Sequence, residues 1–139
     1  MYIFDGAMGT MLQAAGLEEG YCPELFNIER PEVVKDIHAQ YLQHGSDVIT
    51  TNTFGACGLK LEDYDLQDRV REINIAAVKV AKEAIAENKP TARVAGSMGP
   101  TGRFLQPLGN MSFDSIYDTY REQAEALIEG RSEEHTSEL

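Results

Sequence analysis

Three short apolar runs alternate with longer amphipathic segments along this chain. The runs lie at residues 2–4, 47–53 and 92–98, and turn-forming residues bound each of them. Runs of this length predict buried strands, because β-branched and aromatic side chains pack well on a pleated surface. No hairpin signal joins one run to the next, so we expect the strands to be parallel.

The amphipathic segments predict three long helices. The first begins at Pro31, which is tolerated at the first helical position, and stops at Gly45. The second covers residues 66–88, the third follows Ser112 as N-cap, and a brief helical turn is expected at residues 10–15. The stripes expected to face the core are Val34, Ile37, His38 and Tyr41, then Val70, Ile73, Ala77, Val80, Ala81 and Ala84, then Phe113, Ile116, Tyr117, Tyr120, Ala124, Leu127 and Ile128.

This order of elements predicts an α/β fold in which helical crossovers join parallel strands. A (β/α)₈ barrel needs about 250 residues, so three βα units supply under half of one. A doubly wound sheet would also need a few more units. The pattern alone leaves both architectures open.

Charge and composition narrow the function classes. The 139 residues include 12 basic and 23 acidic side chains, for a net charge of −11. A net negative surface repels phosphate backbones, which argues against nucleic-acid binding. No apolar run is long enough to span a membrane. The two cysteines are too few for a disulfide scaffold, so a cytoplasmic location is expected.

The last nine residues differ in character from the rest. Residues 131–139 have no apolar periodicity, and the string looks like the translation of a common sequencing-adaptor oligonucleotide. We therefore expect one partial domain at residues 1–130 and a non-native tail at residues 131–139. The alternative is a natural polar tail.

The ends of the three predicted strands carry the candidate chemistry. Each leads into a polar or glycine-rich turn, and the carboxyl ends of parallel strands form the ligand-binding face of such folds. Asp5 ends the first strand, where a carboxylate could grip an ammonium group or cap the following turn. The glycines at 96, 99 and 102 lack the lysine of a phosphate loop. Cys22 and Cys57 have no histidine or cysteine at metal-ligand spacing.

Four motifs resemble those of the homocysteine S-methyltransferase family, in particular the homocysteine-binding module of cobalamin-dependent methionine synthases. Betaine–homocysteine methyltransferases are more distant relatives. The resemblance covers residues 2–130 and implies that the chain is the N-terminal, truncated portion of a (β/α)₈ TIM-type barrel. The motifs are Ile3-Phe4-Asp5-Gly6-Ala7-Met8-Gly9-Thr10, Pro23-Glu24-Leu25-Phe26-Asn27, the run from Gly45 to Ala56, and Gly99-Pro100-Thr101-Gly102.

The resemblance also implies a substrate pocket for homocysteine. Asp5 matches the aspartate that holds the amino-acid end of the substrate, and Gly6 and Ala7 would bring backbone close to it. Asn52, Thr53 and Phe54 match the residues that line the same pocket at the end of the second strand. No catalytic residue is expected within this sequence.

In the family a zinc ion activates the substrate thiol, and methylcobalamin donates the methyl group. The family's zinc cysteines lie beyond residue 130, so no cofactor is expected to bind this chain tightly and no turnover is expected. Cobalamin- and folate-binding modules are the implied partners, and open sheet edges predict self-association. Alternatives are betaine or S-methylmethionine as donor, a phosphate-binding barrel lyase, and a non-catalytic binding module.

Overall fold

Two strands and six α-helices make up residues 1–132, the part of the chain that this computed structural model describes. Three 3₁₀ turns, at Pro23–Leu25, Glu62–Tyr64 and Gln67–Arg69, connect them. The elements in chain order are α1 (Gly9–Ala14), α2 (Phe26–Glu29), α3 (Pro31–Gln43), β1 (Val48–Thr50), α4 (Gly58–Leu61), α5 (Val70–Asn88), β2 (Arg93–Ala95) and α6 (Phe113–Ser132).

The sheet is parallel, as the absence of hairpin signals predicts. β1 pairs with β2 so that Ile49 lies opposite Val94. The predicted first strand is shorter than expected, because it pairs with β1 only at a parallel bridge between Phe4 and Val48. The amide of Asp5 donates to the Val48 carbonyl at 3.0 Å and extends this contact. The three segments therefore lie side by side in chain order, and the α/β fold class is confirmed.

The long helices form one layer against the sheet. α3 packs on α5, and α5 packs on α6. The apolar layer, which we define as Leu42, Ile49, Ala81, Ala84 and Ile85, joins α3, β1 and α5 into one buried cluster. Every residue of the stripe predicted on the second long helix is buried, which confirms the 3.6-residue periodicity there.

The stripe predicted on the third long helix is wrong in part. Phe113, Tyr117 and Ile128 are 69%, 55% and 67% exposed. The helix turns a different face toward α5 and the sheet, and that face is mixed polar and apolar. The exposed aromatic rings of Phe113 and Tyr117 instead stack on each other at 6.3 Å. The buried positions of α6 are Thr119, Gln123, Ala126, Leu127 and Gly130.

Several element ends also differ from the prediction. The expected loop before Pro31 contains a 3₁₀ turn and α2. α5 starts at Val70 rather than at residue 66, because Asp65 adopts a left-handed conformation with φ of 57° and a 3₁₀ turn follows it. Ser112 caps α6 as predicted, since its hydroxyl accepts from the Ser115 amide at 3.2 Å.

The predicted tail lies mostly outside the described residues. Only its first two residues, Arg131 and Ser132, are described, and both belong to α6. The boundary at residue 130 therefore stays a prediction. No helix within residues 1–132 is long and apolar enough to cross a membrane.

Candidate functional site

The ends of the three parallel segments meet at one edge of the sheet. We call this the carboxyl edge and define it by Asp5, Thr50, Thr51, Thr53 and Ser97. Side chains from the end of β1 contact the Asp5 turn on one side and the Ser97 turn on the other. The turns expected to converge are thus brought together.

Asp5 is held at this edge by one residue of β1. Its two carboxyl oxygens accept hydrogen bonds from the Thr50 amide and the Thr50 hydroxyl, both at 2.9 Å. The side chain is half-buried, and this burial raises the pKa of Asp5 even though the Thr50 bonds lower it. Within residues 1–130 no lysine or arginine forms an ion pair with Asp5. The carboxyl group is therefore oriented but lacks a cationic partner.

The turn after Asp5 presents backbone to solvent. Gly6 and Ala7 are exposed, and their amides donate no hydrogen bond to any described residue. Tyr41 of α3 supports the turn by donating its hydroxyl to the Ala7 carbonyl at 2.8 Å. A Cβ atom at residue 6 would lie 3.0 Å from the same hydroxyl, so the glycine permits this close support. Two amide donors consequently follow Asp5 directly in the chain.

Two threonines join the end of β1 to the end of β2. The Ser97 amide donates to the Thr51 hydroxyl at 3.0 Å, and Thr53 donates its hydroxyl to the Ser97 carbonyl at 2.7 Å. The two hydroxyls are 2.6 Å apart. Because the Thr53 proton is used on Ser97, Thr51 is the donor in that pair. The closed chain fixes the two strand ends relative to each other.

Asn52 points away from the open edge and into the protein. Its side chain is 5% exposed, and its amide nitrogen donates to the Pro23 carbonyl at 2.9 Å and to Asn27 Oδ1 at 3.2 Å. Asn27 returns a hydrogen bond to the Asn52 carbonyl at 2.8 Å. Both Asn52 side-chain protons are therefore engaged within the protein.

Phe54 stands at the surface of the same turn. It is 62% exposed, and its carbonyl accepts from the Gly99 amide at 3.0 Å. A Cβ atom at residue 99 would lie 2.5 Å from the Phe54 carbonyl oxygen, so only glycine fits this approach. Tyr120 of α6 donates to the Gly99 carbonyl at 3.1 Å. Phe54 is thus an exposed apolar side chain on a well-held backbone.

A buried polar layer supports the carboxyl edge from the helices. Gln123 of α6 donates its side-chain nitrogen to the Thr53 carbonyl at 2.8 Å and lies 3.3 Å from Asn74 Oδ1. Asn74 of α5 donates in turn to the Ala56 carbonyl at 2.9 Å. These contacts explain why the buried face of α6 carries a polar residue. The helices hold the strand ends through hydrogen bonds as well as through apolar packing.

The described residues do not fit a metal site. Residues 1–132 contain no group of three or more His, Cys, Asp or Glu side chains placed to hold a metal ion. Cys22 and Cys57 are 3% and 1% exposed. Burial and the neighbouring Glu24 raise the pKa of the Cys22 thiol to about 12, which opposes the thiolate form that a metal binds.

Four residues with roles at this edge are missing from the sequence prediction. Thr50 gave no signal, because a threonine is ordinary in a β-branched strand. Gln123 did give a signal. It lies four residues from both Thr119 and Leu127, which places the three on one face of the helix, and that face is buried. Glu24 and Asn27 lie in the motif at residues 23–27, for which the sequence predicts no role.

The sequence comparison bears directly on this geometry. A model of the family described as homocysteine S-methyltransferase matches residues 2–134. The chain belongs to the homocysteine S-methyltransferase family. The match includes the carboxyl edge and the four residues just described.

Curated relatives of this homocysteine S-methyltransferase-family chain are methionine synthases. The one from Mycobacterium tuberculosis is 40% identical over 136 residues, and the one from Mycobacterium leprae is 38% identical over 136 residues. Each alignment covers 91% of this chain but only 11% of the relative. The chain therefore spans about a tenth of the length of these relatives.

Solved structures of the family have the same fold. The homocysteine methyltransferase MmuM from Escherichia coli in its oxidized form superposes with a TM-score of 0.75 at 25% identity. Its metallated form gives a TM-score of 0.74 at the same identity. These superpositions cover 94% and 93% of this chain and 50% of each MmuM chain.

Proposed function

We propose that this chain forms the amino-acid-binding part of a homocysteine S-methyltransferase of the methionine synthase type. The observation that carries the proposal is the half-buried Asp5 carboxyl group, which Thr50 orients and no basic side chain of residues 1–130 neutralises. Such a group is suited to a ligand that brings its own positive charge. The α-ammonium group of homocysteine meets that need.

The rest of the substrate has partners of matching chemistry. The amides of Gly6 and Ala7 are free donors for the α-carboxylate, which backbone N–H groups of a turn bind well. Phe54 offers an apolar surface for the methylene groups. Asn52 and Thr53, although proposed as pocket residues, contribute by shaping the turn, since their side chains are engaged within the protein.

The proposed reaction moves a methyl group onto the homocysteine sulfur. A new S–C bond forms, the bond from the methyl group to its donor breaks, and the thiol proton is lost. We assign no catalytic residue to residues 1–130. A zinc ion remains a prediction from the family resemblance, and because the described residues do not fit it, we derive no step through it.

The donor and the partners are part of the same proposal. Methylcobalamin as donor, with cobalamin- and folate-binding modules as partners, is favoured by the similarity to methionine synthases. A cytoplasmic location and the absence of nucleic-acid and membrane partners remain predictions from composition.

We further propose that the three parallel segments are the beginning of a (β/α)₈ barrel wall. Their order in the sheet follows the chain, and α3, α5 and α6 pack in the same order. This is the arrangement in which consecutive βα units of a barrel stand. The carboxyl edge would then be the face on which barrel enzymes carry their active sites.

Titration calorimetry with homocysteine, and with inorganic phosphate as the competing ligand, tests the function. We expect heat of binding with homocysteine alone, and a loss of about tenfold or more in affinity for Asp5→Asn. Asp114→Asn is the matched control, because Asp114 is an exposed aspartate at the start of α6. Binding of phosphate but not homocysteine would overturn the proposal.

A further inference from the structure

The motif at residues 23–27 has no role in the function proposed so far, yet the structure ties it, together with the preceding Cys22, to the site. We call residues 22–27 the clamp and residues 52–55 the substrate turn. Four hydrogen bonds join them, two between Asn27 and Asn52, one from Asn52 to Pro23, and one from Gly55 to Glu24. The clamp is thus the main side-chain support of the substrate turn from that side.

Glu24 is the unusual member of the clamp. It is 6% exposed, and its Oε1 accepts from the Gly55 amide at 2.7 Å. Its Oε2 accepts from the Cys22 thiol at 3.3 Å. No basic side chain of residues 1–130 forms an ion pair with Glu24, whose described partners are the Gly55 amide and the Cys22 thiol. A buried carboxyl group with one amide and one thiol as donors is a costly means of stabilising a loop.

The substrate turn is shaped around this carboxyl group. A Cβ atom at residue 55 would lie 2.8 Å from Glu24 Oε1, so the glycine allows the oxygen to reach the backbone. The same turn carries Phe54 at the surface, and the Gly55 amide immediately follows it in the chain. Fixing that amide therefore fixes the backbone from which the Phe54 ring projects.

We propose that Glu24 is a positioning residue, which holds the substrate turn through the Gly55 amide so that Phe54 is correctly placed for homocysteine. This inference rests on the proposed function, because it assumes that homocysteine binds at the carboxyl edge. Glu24 itself does not contact the substrate. We therefore expect a change at Glu24 to lower the affinity for homocysteine even where the fold remains stable.

Three variants separate positioning from general stability. Glu24→Ala removes the acceptor, whereas Glu24→Gln keeps an amide oxygen that can still accept from Gly55. Leu42→Ala is the control, because Leu42 is 3% exposed in the apolar layer and its loss destabilises the fold away from the turn. Homocysteine affinity is measured by calorimetry, and stability by urea unfolding of the same preparations.

We expect Glu24→Ala to weaken homocysteine binding about tenfold or more, and Glu24→Gln to restore it to within about threefold of the original. Leu42→Ala should leave affinity unchanged while the protein remains folded. Unchanged affinity in Glu24→Ala, or an equal loss in Leu42→Ala, would overturn the inference. If Glu24→Ala does not fold, Glu24→Asp takes its place, because the shorter side chain withdraws the acceptor from the Gly55 amide; the expected loss and the refutation are the same.

Hydrogen exchange keeps the two proposals distinguishable. If the unaltered chain does not bind homocysteine, the proposed function fails. In that case the exchange rate of the Gly55 amide still tests whether Glu24 holds the substrate turn. Its exchange should quicken by about tenfold or more in Glu24→Ala and stay slow in Leu42→Ala under conditions where both are folded. Equal protection of Gly55 in all three proteins would contradict the role of Glu24.

Discussion

The apolar layer lies between the short sheet and the helices α3 and α5, whereas the carboxyl edge lies at the ends of the strands. The two regions are built differently. In the apolar layer, Ile49 is fully buried among the alanines of α5 without any side-chain hydrogen bond. At the carboxyl edge, Thr51 and Thr53 are equally buried but belong to a closed chain of hydrogen bonds. Thr51 and Thr53 follow Ile49 by two and four residues, just beyond the end of β1.

The contrast indicates that one region determines the stability of the fold and the other its binding properties. Apolar burial is non-directional and contributes stability in proportion to the area removed from water. Hydrogen bonds are directional, contribute little net stability each, and fix geometry. We therefore expect changes in the apolar layer to alter stability and changes at the carboxyl edge to alter binding.

The largest effect should come from Ile49→Ala. The change leaves a cavity in the apolar layer and should lower the free energy of unfolding by about 4 kcal/mol. Ile128→Ala is the matched control, since Ile128 is 67% exposed and should lose far less. Urea unfolding followed by circular dichroism measures both. Similar losses of unfolding free energy in the two variants would contradict the role of the apolar layer in stability.

A buried histidine should make stability depend on pH. Burial lowers the pKa of His38 to about 4, and neither ring nitrogen has a partner among the described residues. The unfolded chain binds a proton near pH 6.5, while the folded chain does so only near pH 4. Stability is therefore full above pH 6.5 and falls as the pH drops toward 4, by roughly 3 kcal/mol.

His38→Leu tests whether the buried imidazole causes the loss of stability at low pH. The variant should lose less stability than the original chain between pH 6.5 and pH 4, as measured by thermal or urea unfolding. His44→Gln, at an exposed position of the same region, serves as control and should keep the original profile. An unchanged profile in His38→Leu would show that other groups cause the loss.

Thr53→Val probes the carboxyl edge directly. Valine keeps the shape of threonine but removes the bond to the Ser97 carbonyl and leaves the Thr51 hydroxyl without its acceptor. We expect a loss of about 2 kcal/mol in stability and a larger relative loss of homocysteine affinity than in Ile49→Ala. Thr91→Val, at an exposed threonine before β2, is the control. If Thr53→Val binds homocysteine with unchanged affinity, the carboxyl edge does not control binding as we expect.

The smallest effect on stability should come from Tyr117→Lys. Tyr117 is 55% exposed and stacks only on Phe113, so unfolding should change by no more than about 0.5 kcal/mol. The added charge should nevertheless reduce self-association, which exposed apolar patches promote. Sedimentation velocity at several concentrations measures this. Equal association of variant and original would mean that α6 is not the surface involved.

The two regions were not equally predictable from the sequence. Periodicity alone identified the buried stripe of α5, because apolar spacing at 3.6 residues reports directly on burial. It failed in part on α6, where Leu127 is buried as predicted but Gln123 is buried and Phe113 is not, because the sequence does not reveal which face meets a neighbour.

At the carboxyl edge, the residues of the turns were predictable but their contacts were not. Asp5 ends an apolar run and could be singled out from the chain, whereas Asn52 is indicated as a pocket residue by the family resemblance. That Asp5 bonds to Thr50, and that Asn52 turns inward to Asn27, depends on partners 45 and 25 residues away along the chain. Such pairings are set by tertiary packing, which no local pattern encodes.

In the proposed function, Asp5 binds the ammonium group of homocysteine. Calorimetry with homocysteine and with 4-mercaptobutanoate, which lacks only the amino group, tests it on the original chain and on Asp5→Asn. We expect the original chain to prefer homocysteine by about tenfold or more and Asp5→Asn to lose this preference. An equal preference for homocysteine in both proteins would contradict it.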